Sequence, residues 1–476
     1  MRKLNEIFDT KYDTLVKDIK TNTKEIEDGD LFVCIKGFNV DRHDYVDEAK
    51  RKGAKALIVE HTVDSDLPQI IVPNINDNFA DICTRFYDEP SKKMTMIGIT
   101  GTDGKTTTST IIYELLNQIV KTGYIGTNGV NCPNYVDHSN NTTPTSEHLN
   151  RFLNNFYNKG CKVVSMEAGS EGLAQGRCKN IEFDYSVFTN LTHEHLNFHK
   201  TMDNYMDAKG ILFKQTKKNG YSLINIDDEY GKKISKYCNG KVLYYGKDEN
   251  ADFRFSNVVI TPYGTTFDLN YNNQVYNIKS PLLGMFNVYN LTAALGILIL
   301  MGYNIKDFDL SNLFIDGRMN DINLGQDFKV IVDYAHTPNG YLNLFELTKT
   351  IKCNKTIIVA GSAGERDHEK RPVMGKILVD NADLVVFTYE DPRSEEIDDI
   401  IDDLTSDVKD KQDKYVRIND RHEAIKYAIN IAKKDDMVLV LGKGNETYET
   451  LKNGKIYFND VEEVKNALEE RLKIKI

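Results

Sequence analysis

The segment Gly101-Thr102-Asp103-Gly104-Lys105-Thr106-Thr107 constrains this chain more than any other. It follows an apolar run at residues 94–100, Met-Thr-Met-Ile-Gly-Ile-Thr, whose length and composition predict a buried parallel strand. It precedes residues 108–120, where Ile111, Ile112, Leu115, Leu116, Ile119 and Val120 recur at helical spacing. Strand, glycine-rich turn, Lys-Thr and helix make the layout of a phosphate-binding loop. Glycine lets backbone N–H groups approach phosphate oxygens, and the helix N-terminus adds the positive end of its dipole. In such a loop Lys105 neutralises β- and γ-phosphate charge, and Thr106 or Thr107 ligates Mg2+. The spacing is shorter than the six-position Walker pattern, and a plain glycine-rich hairpin is the alternative.

A chain of 476 residues is too long for one core and predicts about three domains. Its formal charge of −11, without a large basic block, argues against a nucleic-acid surface, so any phosphate site must concentrate Lys and Arg locally. No apolar run reaches the ~18 residues of a membrane span, and Met1-Arg2-Lys3 is not followed by the apolar stretch of a signal peptide. The seven cysteines, an odd number without CxxC spacing, predict reduced thiols and a cytoplasmic protein.

Along the chain, residues 1–90 predict a small α/β unit with strands at 30–35, 56–59 and 69–72 and a short helix at 46–52. Residues 91–318 open with the phosphate loop and continue with strands at 162–166, 185–188 and 222–225, an alternation that implies a mostly parallel sheet. A meander is predicted over 242–278. A third α/β, Rossmann-like unit, 319–476, has strands at 329–333, 356–360, 384–388 and 437–441 and a last helix at 461–472.

Several clusters carry chemistry. Glu167 ends a strand beside the phosphate loop, a position that either holds Mg2+ or is a solvated strand end. Three of the ten histidines, His193, His195 and His199, fall within seven residues at the end of another strand. Their spacing matches no zinc motif; metal or phosphate positioning and a surface His-rich loop are the two readings. Lys209, on residues alone, reads as a surface lysine. Asn141-Thr142-Thr143-Pro144 offers short hydrogen-bonding side chains for a sugar or phosphate, or a helix cap. In the third unit, four turns follow consecutive strands: Asp333-Tyr334-Ala335-His336, Gly361-Ser362-Ala363-Gly364-Glu365-Arg366-Asp367, Glu390-Asp391-Pro392-Arg393 and Gly442-Lys443-Gly444-Asn445-Glu446. Such turns converge on one crevice. Arg366 and Arg393 can grip carboxylates and Glu446 an ammonium group, which describes a pocket for a zwitterion.

These motifs occur together, in order, in one family. Gly-Thr-Asp-Gly-Lys-Thr-Thr, Asn-Thr-Thr-Pro, Thr-Asn-Leu-Thr…His-Leu…His, Ala-Lys…Leu-Phe, Gly284…Phe286-Asn287…Asn290, Gly317-Arg318-Met319, Asp-Tyr-Ala-His-Thr-Pro, Glu-Arg-Asp…Lys-Arg-Pro and Gly-Lys-Gly cover essentially the whole chain. The chain resembles the Mur ligases, and among them the tripeptide-forming type. The resemblance implies an ATP- and Mg2+-dependent amide ligase of peptidoglycan precursor synthesis, acting in the cytoplasm as a monomer. It would join a diamino acid to UDP-N-acetylmuramoyl-L-alanyl-D-glutamate through an acyl phosphate.

Carried over residue by residue, the resemblance implies that Gly101, Thr102, Asp103, Gly104, Lys105, Thr106 and Thr107 meet nucleotide phosphate, with Asn290, Arg318, Asp333 and His336 lining the rest of the nucleotide site. Thr106, Glu167, His195 and Lys209 would hold Mg2+, Lys209 as a carbamate. Lys105, Glu167, His195 and Lys209 would be catalytic. Thr23, His43, Asn141, Thr142, Thr143, Gln175 and Arg177 would contact the UDP-muramoyl dipeptide. Arg366, Asp391, Pro392, Arg393, Gly442 and Glu446 would form the amino-acid pocket. Departures from the family pattern are Asp103 for Asn, Asn22-Thr23-Lys24 for Asp-Ser-Arg, Gly169 for a Ser, Glu171 for a His, Glu194 for Asp, Glu390-Asp391 for Asp-Asn, and Asn445 for a His. Arg393 favours meso-diaminopimelate over L-lysine, whereas the charge of Asp391 favours a basic amine. A paralogue with a different γ-carboxyl acceptor, a non-catalytic nucleotide-binding scaffold and a P-loop NTPase coupled to motion are the competing readings.

Overall fold

The computed structural model describes residues 1–472 other than 38, 39, 140, 262 and 350, so the last four residues of the third expected unit lie outside the described residues. The sequence pattern resolves into three principal sheets. The first unit has four parallel strands, Ile19–Lys20, Leu31–Val33, Ala56–Val59 and Gln69–Ile71, hydrogen-bonded in that order. The helices Val46–Arg51 and Ile75–Phe86 complete it. The second of these, with an apolar face of Ile75, Ile82, Cys83 and Phe86, is absent from the sequence reading.

The central unit is built on eleven strands. Thr95–Thr100, the strand before the phosphate loop, lies between Val163–Glu167 and Phe183–Phe188 and runs parallel to both. The chain leaves it to one side toward Thr122–Gly126 and later crosses to the other. The C-terminal end of Thr95–Thr100 is therefore the point where strand order reverses, and a crevice opens there. The meander expected over 242–278 is shorter than predicted. Lys241–Gly246 pairs parallel with Thr216–Asn225, and the antiparallel part is Phe253–Thr261, Gly264–Tyr271 and Gln274–Ser280.

The phosphate-loop helix runs Lys105–Leu116, not 108–120. Apolar periodicity could not reveal its first turn because that turn is polar: Thr106, Thr107, Thr108, Ser109 and Thr110 are all buried. The helix ends at Leu116 with Asn117 as its cap, and Gln118 beyond it exchanges two hydrogen bonds of 2.8 Å with the backbone of Asp309. Ile111, Ile112, Leu115 and Leu116 pack in one core with the apolar helix Met285–Leu300, which buries residues around nearly its whole circumference.

The third unit is a six-stranded sheet in the order Asn320–Asp321, Lys329–Asp333, Met437–Leu441, Thr356–Ala360, Leu384–Phe387 and Tyr415–Arg417, parallel but for the first pair. Parallel strands buried on both faces need continuous apolar runs, and Met437–Leu441 is buried at all five positions. All seven cysteines are unpaired thiols. No helix among the described residues is long and apolar enough to cross a membrane.

One buried ion pair sets the strand ends of this sheet. Arg421 and Asp460 are both fully buried and bonded at 2.8 and 2.6 Å. The same guanidinium donates to Tyr389 O at 2.8 Å and Leu441 O at 2.9 Å, the carbonyls just before the Glu390-Asp391 and Gly442-Lys443 turns. Removing one partner of such a pair leaves an uncompensated buried charge. Asp460→Ala is expected to lower unfolding free energy by about 3–5 kcal/mol in urea denaturation.

Candidate active site

The strand ends of the central and third units face each other across a cavity of about 1090 Å3. Its floor is the phosphate loop. A Cβ at Gly101 would lie 1.7 Å from Thr189 Oγ1, so only glycine lets the loop pass this close to the neighbouring strand end. Gly104, at φ 83°, begins the helix from the left-handed region, and a Cβ there would lie 2.5 Å from Asn290 Oδ1. Thr189 Oγ1 donates to Asp103 O at 2.6 Å, and Asp103 N donates to Asn190 Oδ1 at 2.9 Å. The loop is thus held from outside before any ligand arrives. The side chain of Asp103 turns to the third unit, accepting from Asn339 Nδ2 at 3.2 Å and Thr337 Oγ1 at 3.5 Å.

Two lysines converge beneath this loop. Lys105 Nζ donates to Gly101 O at 3.0 Å and Thr102 O at 2.8 Å, and Lys209 Nζ donates to the same Gly101 O at 2.7 Å. Lys209 is only 1% exposed and lies 4.3 Å above the Tyr205 ring. It is not the surface lysine that its residue type alone predicts. Burial, with Lys105 adding to it, pushes the Lys209 ammonium well below the usual lysine range; burial lowers Lys105 as well.

Glu167 is fully buried and not a solvated strand end. Its Oε1 accepts from Tyr124 OH at 2.9 Å and Thr127 N at 2.8 Å. Its Oε2 accepts from Thr106 Oγ1 at 3.0 Å and Thr127 Oγ1 at 3.3 Å. The adjacent Asn-Thr-Thr-Pro loop packs onto it: Thr143 Oγ1 donates to Glu167 O at 3.0 Å and accepts from Gly169 N at 2.8 Å, while Thr142 Oγ1 meets Thr127 Oγ1 at 3.2 Å. Arg177 reaches Thr143 O at 2.8 Å and holds Gln175 Oε1 with its other nitrogens. Asn141, Thr142, Thr143 and Arg177 line the cavity, and Gln175 stands behind Arg177 outside the lining.

The three clustered histidines go three ways. His195, in the left-handed region at φ 57°, faces the cavity with Nδ1 3.3 Å from Glu171 Oε1. Its hydrogen bond holds Glu171 at about 2, and Arg366 Nη1 stands 3.6 Å from the same oxygen. His199 is buried, stacks on Tyr205 at 4.9 Å and meets Ser170 Oγ at 2.9 Å; burial lowers it to about 4. His193 turns outward to Asp367.

Across the cleft, Asp333 accepts from Met319 N and Ala335 N at 2.8 Å each, and burial raises its carboxyl. Arg318 lies 4.5 Å over the Tyr334 ring. His336 has Nδ1 2.9 Å from Tyr334 O, and a carbonyl only accepts, so Nδ1 carries the proton. Burial, with Lys370, holds His336 well below the imidazole range, and Nε2 remains an acceptor. Asn290 accepts from Thr108 Oγ1 at 3.2 Å.

In the remaining corner, Lys443 Nζ bridges Asp391 Oδ1 at 2.8 Å and Glu446 Oε2 at 2.9 Å. Asp391 also accepts from Thr450 N and Thr450 Oγ1. The extra negative charge expected of Asp391 is therefore met inside the protein by Lys443. Arg393 Nη1 donates to Gly364 O at 3.2 Å, and Gly442 N donates to Asp333 O at 3.0 Å. Pro392 is outside the lining; its carbonyl packs against Gly364. Thr23 and His43 are not brought to the cavity either. Thr23 O accepts from Lys52 Nζ at 3.0 Å. Both His43 ring nitrogens are taken, one by Asp41 Oδ1 at 2.6 Å and one by Glu60 N at 3.1 Å.

The sequence reading names Glu171 and Glu390 only as departures from the family pattern and Lys443 only as part of a turn, and gives none of them a part in the site. Lys443 stood in plain view between two glycines, but only burial makes it a counter-ion. Lys370 and Glu194, a buried cross-cleft pair at 3.0 Å, are legible only in space.

Three family models match in chain order: the Mur ligase family catalytic domain at residues 16–86, the Mur ligase middle domain at 99–298, and the Mur ligase glutamate ligase domain at 317–444. The chain is 38% identical over 470 residues to the UDP-N-acetylmuramoyl-L-alanyl-D-glutamate–2,6-diaminopimelate ligase of Bacillus licheniformis, covering 95% of this chain and 94% of that one. It is 37% identical over 456 residues to the ligase of the same name from Aquifex aeolicus, covering 95% and 94%. A solved structure titled with that activity superposes with TM-score 0.66 at 28% identity over 99% of both chains. A MurF ligase from Thermotoga maritima in complex with ADP superposes with TM-score 0.72 at 23% identity over 97% of this chain and 99% of that one, a likeness of fold. The chain belongs to the Mur ligase family, as its motifs imply.

Glu390 supplies a pH test of this corner. It is buried, its Oε1 accepts no hydrogen bond, and burial raises it to about 8. In the unfolded chain a glutamate titrates at about 4.3. Between those values the folded protein holds the extra proton, so stability falls as pH rises through that window. Urea midpoints at pH 5 and pH 8.5 are expected to fall further for the wild type than for Glu390→Gln.

Proposed function

We propose that this chain is the ATP-dependent ligase that adds meso-diaminopimelate to UDP-N-acetylmuramoyl-L-alanyl-D-glutamate in peptidoglycan precursor synthesis. The observation that carries this reading is one cleft that joins a phosphate loop, a buried Lys–Glu floor and a two-arginine pocket. In this reading residues 1–90 carry the UDP end, 91–318 the nucleotide and acceptor, and 319–476 the amino acid.

The residues fit Mg2+ as well as ATP. Thr106 and Glu167 offer hard oxygens 3.0 Å apart at the end of the phosphate loop. Thr106, Glu167, His195 and a carbamylated Lys209 would hold the ion, which would neutralise charge on the transferring phosphoryl group. Lys209 suits carbamylation because burial favours its neutral amine, the form that adds to CO2 and then loses a proton.

Lys105 and the loop N–H groups orient the γ-phosphate, and Arg177 with Thr142 and Thr143 orient the D-Glu carboxylate. Its oxygen attacks the γ-phosphorus, ADP leaves, and an acyl phosphate forms. The incoming amine attacks the acyl carbon, phosphate leaves, and the amine loses its proton. Positioning and charge neutralisation supply most of such catalysis. Arg366 and Arg393 face the incoming amino acid, and with Asp391 committed to Lys443 the pocket favours a side chain ending in a carboxylate. That chemistry selects meso-diaminopimelate over L-lysine.

Phosphate release with ATP, Mg2+ and the UDP-muramoyl dipeptide, with meso-diaminopimelate, L-lysine or L-ornithine in parallel, tests the reading. Release stimulated by meso-diaminopimelate alone is expected; silence with all three would refute it. Lys209→Ala is expected to lose ligation by at least ~100-fold, with no rescue by added bicarbonate. Arg393→Ala is expected to raise the KM for the amino acid ~10-fold or more while leaving the KM for ATP within about twofold.

A further inference from the structure

His193, Asp367 and Glu369 form a cluster that the ligase reading does not use. His193 lies in the loop after Phe183–Phe188, and Asp367 and Glu369 lie just before the helix Lys370–Asn381, so two units contribute. One ligand atom from each falls within 4.8 Å of the others. His193 Nε2 and Asp367 Oδ2 are 3.3 Å apart. Two ligands of one ion, with bonds of about 2.1 Å, stand about 3.0–3.4 Å apart at octahedral or tetrahedral angles.

Asp367 gives a second, independent sign. Its side chain is 5% exposed, and Oδ1 accepts from Glu369 N at 3.1 Å. Oδ2, the oxygen facing His193, is buried and accepts no hydrogen bond. With only the His193 imidazole 3.3 Å away and outside hydrogen-bond geometry, this buried oxygen keeps much of its desolvation cost. A cation at this point removes that cost.

We propose that His193, Asp367 and Glu369 hold a first-row divalent cation of the Zn2+ or Mn2+ class, bridging the central and third units. One imidazole and two carboxylates suit such an ion, and the open coordination positions take water. His193 adjoins Glu194 and Glu369 adjoins Lys370, so the ion fastens the same two segments as the buried Lys370–Glu194 pair. His193 and Glu369 also fall in the gaps of Thr-Asn-Leu-Thr…His-Leu and Glu-Arg-Asp…Lys-Arg-Pro, the positions that the ligase motifs leave open. A ligand that needs both segments together stabilises their contact by mass action.

The test is titration of ZnCl2, and in parallel CoCl2, into chelator-stripped, nucleotide-free full-length protein. Calorimetry reads stoichiometry and visible absorption reads the cobalt ligand field. The wild type is expected to bind one equivalent more than His193→Ala or Glu369→Gln, or to bind that equivalent at least tenfold more tightly. Its cobalt bands are expected to be lost in His193→Ala. Both substituted side chains are exposed, so neither change opens a cavity, and His195 and the phosphate-loop residues are untouched. Equal stoichiometry and affinity in the wild type and both variants would overturn the site and leave His193–Asp367 an ion pair between units. Because no substrate is present, that result would bear on the cation site alone and not on the ligase reading.

Discussion

The buried carboxylate of Glu167 is the interaction on which the cleft depends. It gathers Thr106 from the phosphate-loop helix, Tyr124 from one neighbouring strand and Thr127 from the turn beyond. An ionised group in the interior is expensive unless every lone pair finds a donor, and here four donors from three elements are spent on it. The Asn-Thr-Thr-Pro loop then attaches through Thr143 to the backbone of the same residue. Strand, helix, turn and the Asn-Thr-Thr-Pro loop are registered to one another through one residue.

The opposite charge is handled differently. In a chain of formal charge −11 three lysines are gathered at this cleft, two beneath the loop at its floor and one in its far corner. Lys105 and Lys209 share one carbonyl, and Lys443 is shared by two carboxylates. Burial disfavours the charged forms of the first two, so they are primed to gain from any anion that arrives. Lys443 already has its anions, and it cancels the charge by which Asp391 departs from the family pattern.

Much of this was legible in the residues. Apolar runs located most of the central parallel strands within a residue or two, because strands buried on both faces leave little else for the sequence to say; they missed Ile19–Lys20, Thr122–Gly126 and Tyr415–Arg417, and the polar first half of Thr216–Asn225. The phosphate loop was legible because its glycines answer to steric limits that no other residue meets. Reading failed where burial is polar, as in the first turn of Lys105–Leu116, and where a pair forms between distant segments, as with Lys370 and Glu194. It also failed for residue types with an ordinary surface preference: Lys209 and Lys443 look like solvent lysines until the fold encloses them. The three histidines, within seven residues in sequence, belong to three environments, which only the loop conformation reveals.

Arg421 holds the Glu390-Asp391 and Gly442-Lys443 turns through the carbonyls of Tyr389 and Leu441, never through their side chains. A clamp that grips only the main chain is indifferent to what the turns display. The turns can therefore exchange the residues that they show to the cleft, Asp391 and Asn445 included, without losing the scaffold on which they are presented. The vocabulary of these turns can change while their grammar stays fixed by a guanidinium bonded directly to the two strand ends.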